Sequence, residues 1–269
     1  MPSRAYAVTG AAGGIGSAIC RLLSQKGARV WALDLQSEHL RQLGSSPGVV
    51  PLSADVTDSK SLEAAASKIA AEGGGLDGLV NCAGVIRCGP LVEISEADVS
   101  AVMDVNVLGA FRATRALFPC LKARRGRVVN VSSEAARMAA PFNGPYSMSK
   151  YALEAYSDAL RRELSLLGMK VVIVQPGATR TALMEGSAPS LDRAIEGSQF
   201  AKAIGRIRDL AAKEKDKCVE PEAVARVVVR ALTAHRPRLR YRVANDPFRR
   251  AVEFLPAGVA DALIGMMLR

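Results

Sequence analysis

The feature that most constrains the fold is a strand, a glycine-rich turn, a helix and a second strand at the start of the chain. Residues 5–9 have the composition of a short buried strand, and glycines follow at positions 10, 13, 14 and 16. A helix with apolar residues at Ile15 and Ile19 comes next, and residues 29–33 predict a strand that ends on Asp34. Such a unit is typical of a parallel α/β sheet.

The same unit has the properties of a dinucleotide site. Glycines let the backbone approach a pyrophosphate, and a helix N-terminus presents free N–H groups to it. Asp34 is placed to bind the adenosine ribose hydroxyls. Its carboxylate would repel a 2′-phosphate, and neither Leu35 nor Gln36 is basic. The pattern therefore favours NAD over NADP, and the alternative is a tight turn without a ligand.

Strands and helices alternate along the rest of the chain. Further strands are predicted at residues 49–53, 76–80, 126–131, 170–175 and 239–243. This rhythm predicts an α/β, single-domain Rossmann fold over residues 1–269, with a doubly wound parallel sheet of about seven strands and helices on both faces. Ligands on such sheets bind beyond the carboxyl ends of the strands. The candidate residues just after strand ends are Gly10, Asp34, Asn81, Ser133 and Pro176.

Tyr146 and Lys150 predict an acid–base pair. If a helix begins near Tyr146, the two side chains lie on one face, at i and i+4. A positive neighbour favours the phenolate of a tyrosine, whose ordinary pKa is about 10. Ser133 could donate to the same substrate oxygen. A Tyr–Lys pair alone is common on exposed helices, and Asn106, in an apolar stretch, is open to a functional or a structural interpretation.

Together these motifs resemble the short-chain dehydrogenase/reductase family, over about residues 4–183 with a weaker tail to Val243. The family's Asn-Asn-Ala-Gly motif departs here at Cys82. The catalytic tetrad matched is Asn106, Ser133, Tyr146 and Lys150. The residues implied to bind the cofactor, taken with the first unit, are Gly10, Gly13, Gly14, Ile15, Gly16, Asp34, Leu35, Asp55, Val56, Asn81, Ala83, Gly84, Tyr146, Lys150, Pro176, Gly177, Thr179 and Thr181.

The resemblance implies a hydride-transfer enzyme. Tyr146 would take the alcohol proton, Ser133 would bind the substrate oxygen, and Lys150 would lower the pKa of Tyr146 and hold the nicotinamide ribose. Asn106 would hold a water through its backbone and so link Lys150 to solvent. A looser similarity, over residues 146–162 and 240–243, to retinol, hydroxysteroid and 3-hydroxybutyrate dehydrogenases implies a mostly apolar alcohol or ketone as substrate.

Composition limits the other possibilities. The five cysteines show no metal-ligand spacing, so no metal is predicted, and they suit a reduced, cytoplasmic protein. No signal peptide and no apolar run of about 18 residues is seen. Residues 201–250 carry 14 basic and 6 acidic residues. Such a segment can meet nucleic acid, a membrane surface or an acidic substrate, but it lacks interleaved aromatics, and no nucleic acid partner is predicted.

Two segments follow the sixth strand. The family resemblance implies a substrate lid over residues 182–218, where apolar residues among charged ones suit a mobile amphipathic cover. Residues 247–269 predict an apolar C-terminal helix, for which packing or subunit contact is favoured and peripheral membrane contact is the alternative. The family resemblance implies a homodimer or homotetramer that uses the helices of residues 95–117 and 146–167.

Two other functions stay open. A 3-oxoacyl-thioester reductase would explain the basic segment through its phosphopantetheine or coenzyme A group. A non-catalytic NAD(H)-sensing regulator would use the same fold, although such proteins commonly lose the Tyr or Lys that this chain retains at 146 and 150.

Overall fold

Seven parallel strands form the centre of the protein. The computed structural model describes residues 4–214 and 217–268. The strands are β1 (Ala5–Thr9), β2 (Arg29–Asp34), β3 (Val49–Ser53), β4 (Gly78–Asn81), β5 (Arg127–Val131), β6 (Val171–Pro176) and β7 (Arg240–Val243). Their order in the sheet is β3-β2-β1-β4-β5-β6-β7, and every neighbouring pair is parallel. The predicted seven-stranded parallel sheet is therefore confirmed.

Helices cover both faces of the sheet, as predicted. One face packs against α1 (Gly14–Gln25), α2 (Glu38–Leu43) and α10 (Pro221–Thr233). The other packs against α3 (Ser59–Gly73), α5 (Gly109–Arg124) and α6 (Gly144–Ser165). The inner strands are buried throughout because both of their faces meet apolar helix side chains. The order in which strands are added to the sheet reverses between β1 and β4, which is where sheets of this topology bind ligands.

The helix predicted over residues 95–117 is interrupted. The structure has α4 (Glu96–Met103), a π-helical turn over Asp104–Leu108, and then α5. Such turns add one residue to the helical repeat and occur often at functional sites. Asn106 lies in this turn, and its contacts are described with the site.

The segments after β6 are also helical. The predicted lid contains α7 (Ala182–Glu185), α8 (Ser187–Ile195) and α9 (Ala201–Glu214), and residues 215–216 of that prediction lie outside the described residues. The single C-terminal helix predicted for residues 247–269 is two helices, α11 (Pro247–Val252) and α12 (Ala257–Leu268). Pro256 lies between them, and a proline cannot continue a helix because it lacks an N–H donor. Residue 269 is outside the described part.

The apolar composition of these helices does not make any of them a membrane span. Across residues 4–214 and 217–268, none of the helices combines the length and the hydropathy that crossing a bilayer requires.

Candidate active site

A cavity of about 880 Å³ lies at the carboxyl ends of the strands. That size falls within the range of about 300–1,000 Å³ that is usual for small-molecule sites. All the residues predicted to bind the cofactor or to take part in catalysis border it, except Asn81 and Asn106. The structure thus brings together residues that are more than a hundred positions apart in the sequence.

The glycine-rich turn forms one wall and requires glycine at two positions. Gly10 has a φ of 67°, and a Cβ there would lie 2.6 Å from the backbone nitrogen of Ala83. A Cβ on Gly16 would lie 2.1 Å from the carbonyl oxygen of Gly10. α1 starts at Gly14, and the N–H groups of its first turn have no acceptor within the helix. These groups fit a pyrophosphate.

Asp34 lies at the adenosine end of this wall. Its Oδ2 accepts from the Ala12 N–H at 2.8 Å, and its Oδ1 accepts from the Leu35 N–H at 2.7 Å. The two bonds fix the carboxylate beside the turn. The described residues that border this end near Asp55 and Val56 include no Lys or Arg. The charge pattern therefore suits a ribose diol better than a 2′-phosphate.

Asn81 was predicted to contact the cofactor, but the structure places it beneath the cavity. Its amide nitrogen donates to Asn130 Oδ1 at 2.8 Å and to Thr114 Oγ1 at 3.0 Å. Asn130 in turn donates to Ser157 Oγ at 2.7 Å. This buried polar network joins β4 and β5 to α5 and α6. It therefore helps to fix the position of α6, the helix that carries Tyr146 and Lys150.

Tyr146 and Lys150 lie on the first two turns of α6. The helix begins at Gly144, and Pro145 at its first turn has the backbone angle that a helix start needs. Lys150 Nζ lies 5.5 Å from the centre of the Tyr146 ring and donates to the Val131 carbonyl at 3.0 Å. Ser133 follows β5, and its Oγ accepts from the Ala135 N–H at 3.1 Å.

Asn106 holds the floor of the site through its side chain. Its Oδ1 accepts from the Val85 N–H at 2.8 Å, and its Nδ2 donates to the Val85 carbonyl and to Ser149 Oγ, both at 2.9 Å. The amide therefore connects the π-helical turn, the loop after β4 and α6. For the side chain, these contacts favour the structural interpretation that the sequence left open.

Burial dominates the ionisation of the two catalytic candidates. It raises the pKa of Tyr146 to about 12, against a smaller lowering by the hydrogen bond with Ser133. Burial also lowers the pKa of Lys150 to about 8. The sequence predicted a lowered pKa for Tyr146 next to Lys150. The structure gives the opposite direction. The free-energy cost of removing the phenolate from water is larger than the stabilisation that its polar neighbours provide.

Comparison with known proteins agrees with this geometry. The family model for the short chain dehydrogenases matches residues 4–191, which is more than half of the chain. The chain belongs to the short-chain dehydrogenase family. It is therefore an oxidoreductase with the Rossmann fold, of a family that uses a nicotinamide cofactor to interconvert alcohols and carbonyl compounds. The family resemblance identified from the sequence, including its retinol and hydroxysteroid subgroup, is confirmed.

Individual relatives narrow the similarity. Retinol dehydrogenase 7 of Rattus norvegicus is 35% identical over 276 residues, which cover 96% of this chain and 86% of that protein. The 17-beta-hydroxysteroid dehydrogenase type 6 of Rattus norvegicus is 33% identical, with 97% and 88% covered. A short-chain dehydrogenase structure from Streptomyces avermitilis has a TM-score of 0.77 at 26% identity, with 98% of this chain and 94% of that chain covered.

The end of the cavity away from the glycine turn is mostly apolar. Its apolar lining residues are Phe142, Leu183, Leu191, Ile207, Ile264 and Met267. Phe142 has a φ of 62°, which is rare for a bulky residue. The centre of its ring lies 6.1 Å from the centre of the Phe200 ring.

Sequence reasoning missed two charged residues at this end. Glu134 directly follows Ser133, is 8% exposed and accepts a hydrogen bond from Arg249. The two are 115 positions apart, and no local pattern connects them. The one available signal was an acid placed three residues after the end of a buried strand, within the stretch that carries Tyr146.

Proposed function

We propose that the protein is an NAD-dependent dehydrogenase of apolar alcohols, of the retinoid or steroid class. The observation that carries this proposal is that Tyr146, Lys150 and Ser133 share one cavity with the glycine turn and with an apolar pocket. The named relatives act on retinol and hydroxysteroids, as their names state, and the apolar wall suits such substrates.

Each catalytic residue has a defined task in this proposal. NAD⁺, when bound, supplies the acceptor for the hydride of the alcohol carbon. Tyr146 takes the hydroxyl proton as general base, and Ser133 hydrogen-bonds the same oxygen. Lys150, held by the Val131 carbonyl, favours the phenolate that Tyr146 must form and holds the nicotinamide ribose. The glycine turn and Asp34 hold the pyrophosphate and the adenosine ribose.

The basic segment gives little support to the thioester alternative. Arg208 pairs with Asp192 and Asp209, Arg240 pairs with Glu154 and Asp158, and Arg242 pairs with Glu253. With Arg249, which pairs with Glu134, four of the 14 basic residues of this segment are thus matched by acids within the described part of the protein. The apolar alcohol accordingly stays the first proposal.

A substrate panel tests the proposal. With NAD⁺, we expect turnover of all-trans-retinol and of hydroxysteroids at a kcat/KM at least about tenfold above that for 3-hydroxyacyl thioesters, because the pocket is apolar. The measurement is NADH formation at 340 nm. Preference for the thioesters would favour the reductase alternative. NADH binding without turnover of any panel member would favour the regulator.

Alcohol oxidation should accelerate as the pH rises. Tyr146 must be deprotonated to act as the base, and its pKa of about 12 lies above the working range. The phenolate fraction, and with it kcat/KM for oxidation, should therefore rise by up to about tenfold per pH unit from pH 6. The rise should flatten above pH 8, because Lys150, with a pKa of about 8, then loses its charge.

The reverse reaction provides the control for this profile. Carbonyl reduction needs the protonated phenol, so its kcat/KM should be level at low pH and should not rise with pH. Initial rates of oxidation and of reduction, each measured against pH at saturating cofactor, give the two pH profiles separately. An oxidation rate that is flat or that falls from pH 6 to 8 would contradict the assignment of Tyr146 as the base.

A further inference from the structure

A partly buried ion pair joins the loop that carries Ser133 to the C-terminal segment, which we define as residues 246–268. The Oε1 of Glu134 accepts from Arg249 Nη1 at 2.5 Å, and its Oε2 accepts from the Asp246 N–H at 3.0 Å. Asp246 also caps α11, since its Oδ1 accepts from the Arg249 N–H at 2.9 Å. We call residues 132–137, which include Ser133, the catalytic loop. The Glu134 carboxylate on this loop thus binds both the backbone at the start of α11 and the side chain of Arg249.

A second acid reinforces this attachment from the other side. Glu253 Oε1 accepts from Arg137 Nε at 2.7 Å and from Arg242 Nη2 at 2.8 Å. Partial burial alone would raise the pKa of Glu253, but the hydrogen bonds from Arg137 and Arg242 lower it below its usual value. Arg137 belongs to the loop just after Ser133, and Arg242 to β7. The C-terminal segment is therefore tied to the catalytic loop at two points.

The attached segment forms part of the apolar wall. Phe248, Ile264, Met267 and Leu268 border the cavity. α12 has no buried residue of its own, and among the described contacts it packs mainly on α9. Only Val252 of α11 is buried in the core, at 5% exposure. Little apolar packing therefore holds the segment, and the ion pairs of Glu134 and Glu253 are described polar attachments of it to the rest of the protein.

We propose that the Glu134–Arg249 pair is a specificity device that positions the C-terminal segment as the far wall for long apolar substrates. This inference rests on the proposed function. Glu134 is bonded in the chain to Ser133, so the pair fixes the distance between the hydroxyl that holds the substrate oxygen and the side chains that hold its far end. A small alcohol occupies only the end near Ser133 and Tyr146, and does not depend on that distance.

Replacement of Arg249 by Met keeps an unbranched apolar stem and removes the guanidinium that forms the ion pair. We expect kcat/KM for all-trans-retinol to fall by about tenfold to a hundredfold, because displacement of a binding wall by about 1 Å has effects of this size. The loss should lie mainly in KM, and the fluorescence titration of retinol should show a weaker Kd by a similar factor. For cyclohexanol, kcat/KM should stay within about threefold.

Glu72→Gln is the matched control. Glu72 forms an ion pair with Arg29 at 2.7 Å, at the amino end of β2 and away from the cavity. This substitution should leave kcat/KM unchanged for both retinol and cyclohexanol. Met267→Trp provides a second test that leaves the ion pair intact. Met267 is 46% exposed, so the fold should tolerate the change, while the larger ring should exclude retinol and not cyclohexanol.

The outcomes separate the two proposals. If the unmodified protein oxidises neither alcohol with NAD⁺, the proposed function fails. The inference is overturned if the unmodified protein oxidises both alcohols and Arg249→Met lowers kcat/KM equally for the two, or for neither. The ion pair would then have no role in specificity. If Arg249→Met does not fold, equal effects of Met267→Trp on the two alcohols would overturn the wall itself.

Discussion

Replacing Tyr146 by Phe is expected to lower kcat/KM for alcohol oxidation by about 10²–10⁴-fold, which is the usual contribution of a positioned general base. The phenyl ring keeps the shape of the side chain and loses only the hydroxyl that takes the proton. Tyr146 borders the cavity and is not one of the buried core residues, so the fold should be retained. Stopped-flow or steady-state NADH formation measures the loss.

Cofactor binding and a neighbouring tyrosine control this experiment. The Kd for NADH, from its fluorescence, should change little in Tyr146→Phe. Tyr151→Phe removes a hydroxyl from the next turn of α6, where the side chain is 45% exposed, and should keep nearly full activity. If Tyr146→Phe retained more than about a tenth of the activity, another group would have to accept the proton.

The second large effect is expected at Asp34, whose replacement by Asn should raise the ratio of kcat/KM for NADP⁺ to that for NAD⁺ about a hundredfold. Asn keeps the size of the side chain and removes the charge. Two like charges about 4 Å apart repel by a few kcal/mol at the dielectric near a protein surface. A 2′-phosphate would meet this repulsion in the unmodified protein and not in the variant.

Glu38→Gln makes the same change in net charge nearby. Glu38 is exposed in α2 and pairs with Arg41, so its removal should leave the ratio within about threefold. Initial rates with the two cofactors at equal subsaturating concentration give the ratio directly. A preference for NADP⁺ before any substitution would show that Asp34 does not select the cofactor in the way proposed.

The elements that the sequence predicted well are those with local causes. The turn at Gly10–Gly16, the strand ending on Asp34 and the helix with Tyr146 and Lys150 each follow from spacing within about twenty residues. Their meeting in one cavity follows from the general rule that parallel strands present their carboxyl ends at one edge. The seven strands and both helical layers were predictable for the same reason.

What could not be predicted depends on distant contacts or on burial. Asn81 lies below the cavity because Asn130 and Thr114 supply its partners from other elements. The pKa of Tyr146 has the opposite direction to the prediction because burial has no signature in a spacing of i and i+4. The Glu134–Arg249 pair closes over more than a hundred residues. The break before α12, by contrast, had a local signal in Pro256, which the prediction of one helix over residues 247–269 did not use.

The packing of α1 has a consequence for the order in which the protein becomes functional. Around Gly14, the first residue of α1, a Cβ would lie 3.0 Å from a side-chain carbon of Thr181 and 3.4 Å from one of Pro221, and α1 rests on α10. The turn at Gly14 is thus completed by residues that lie much later in the chain. Contacts between such distant segments form late in folding. Because a ligand that binds only the native state stabilises only that state, a dinucleotide would protect finished chains and leave partly synthesised ones unprotected.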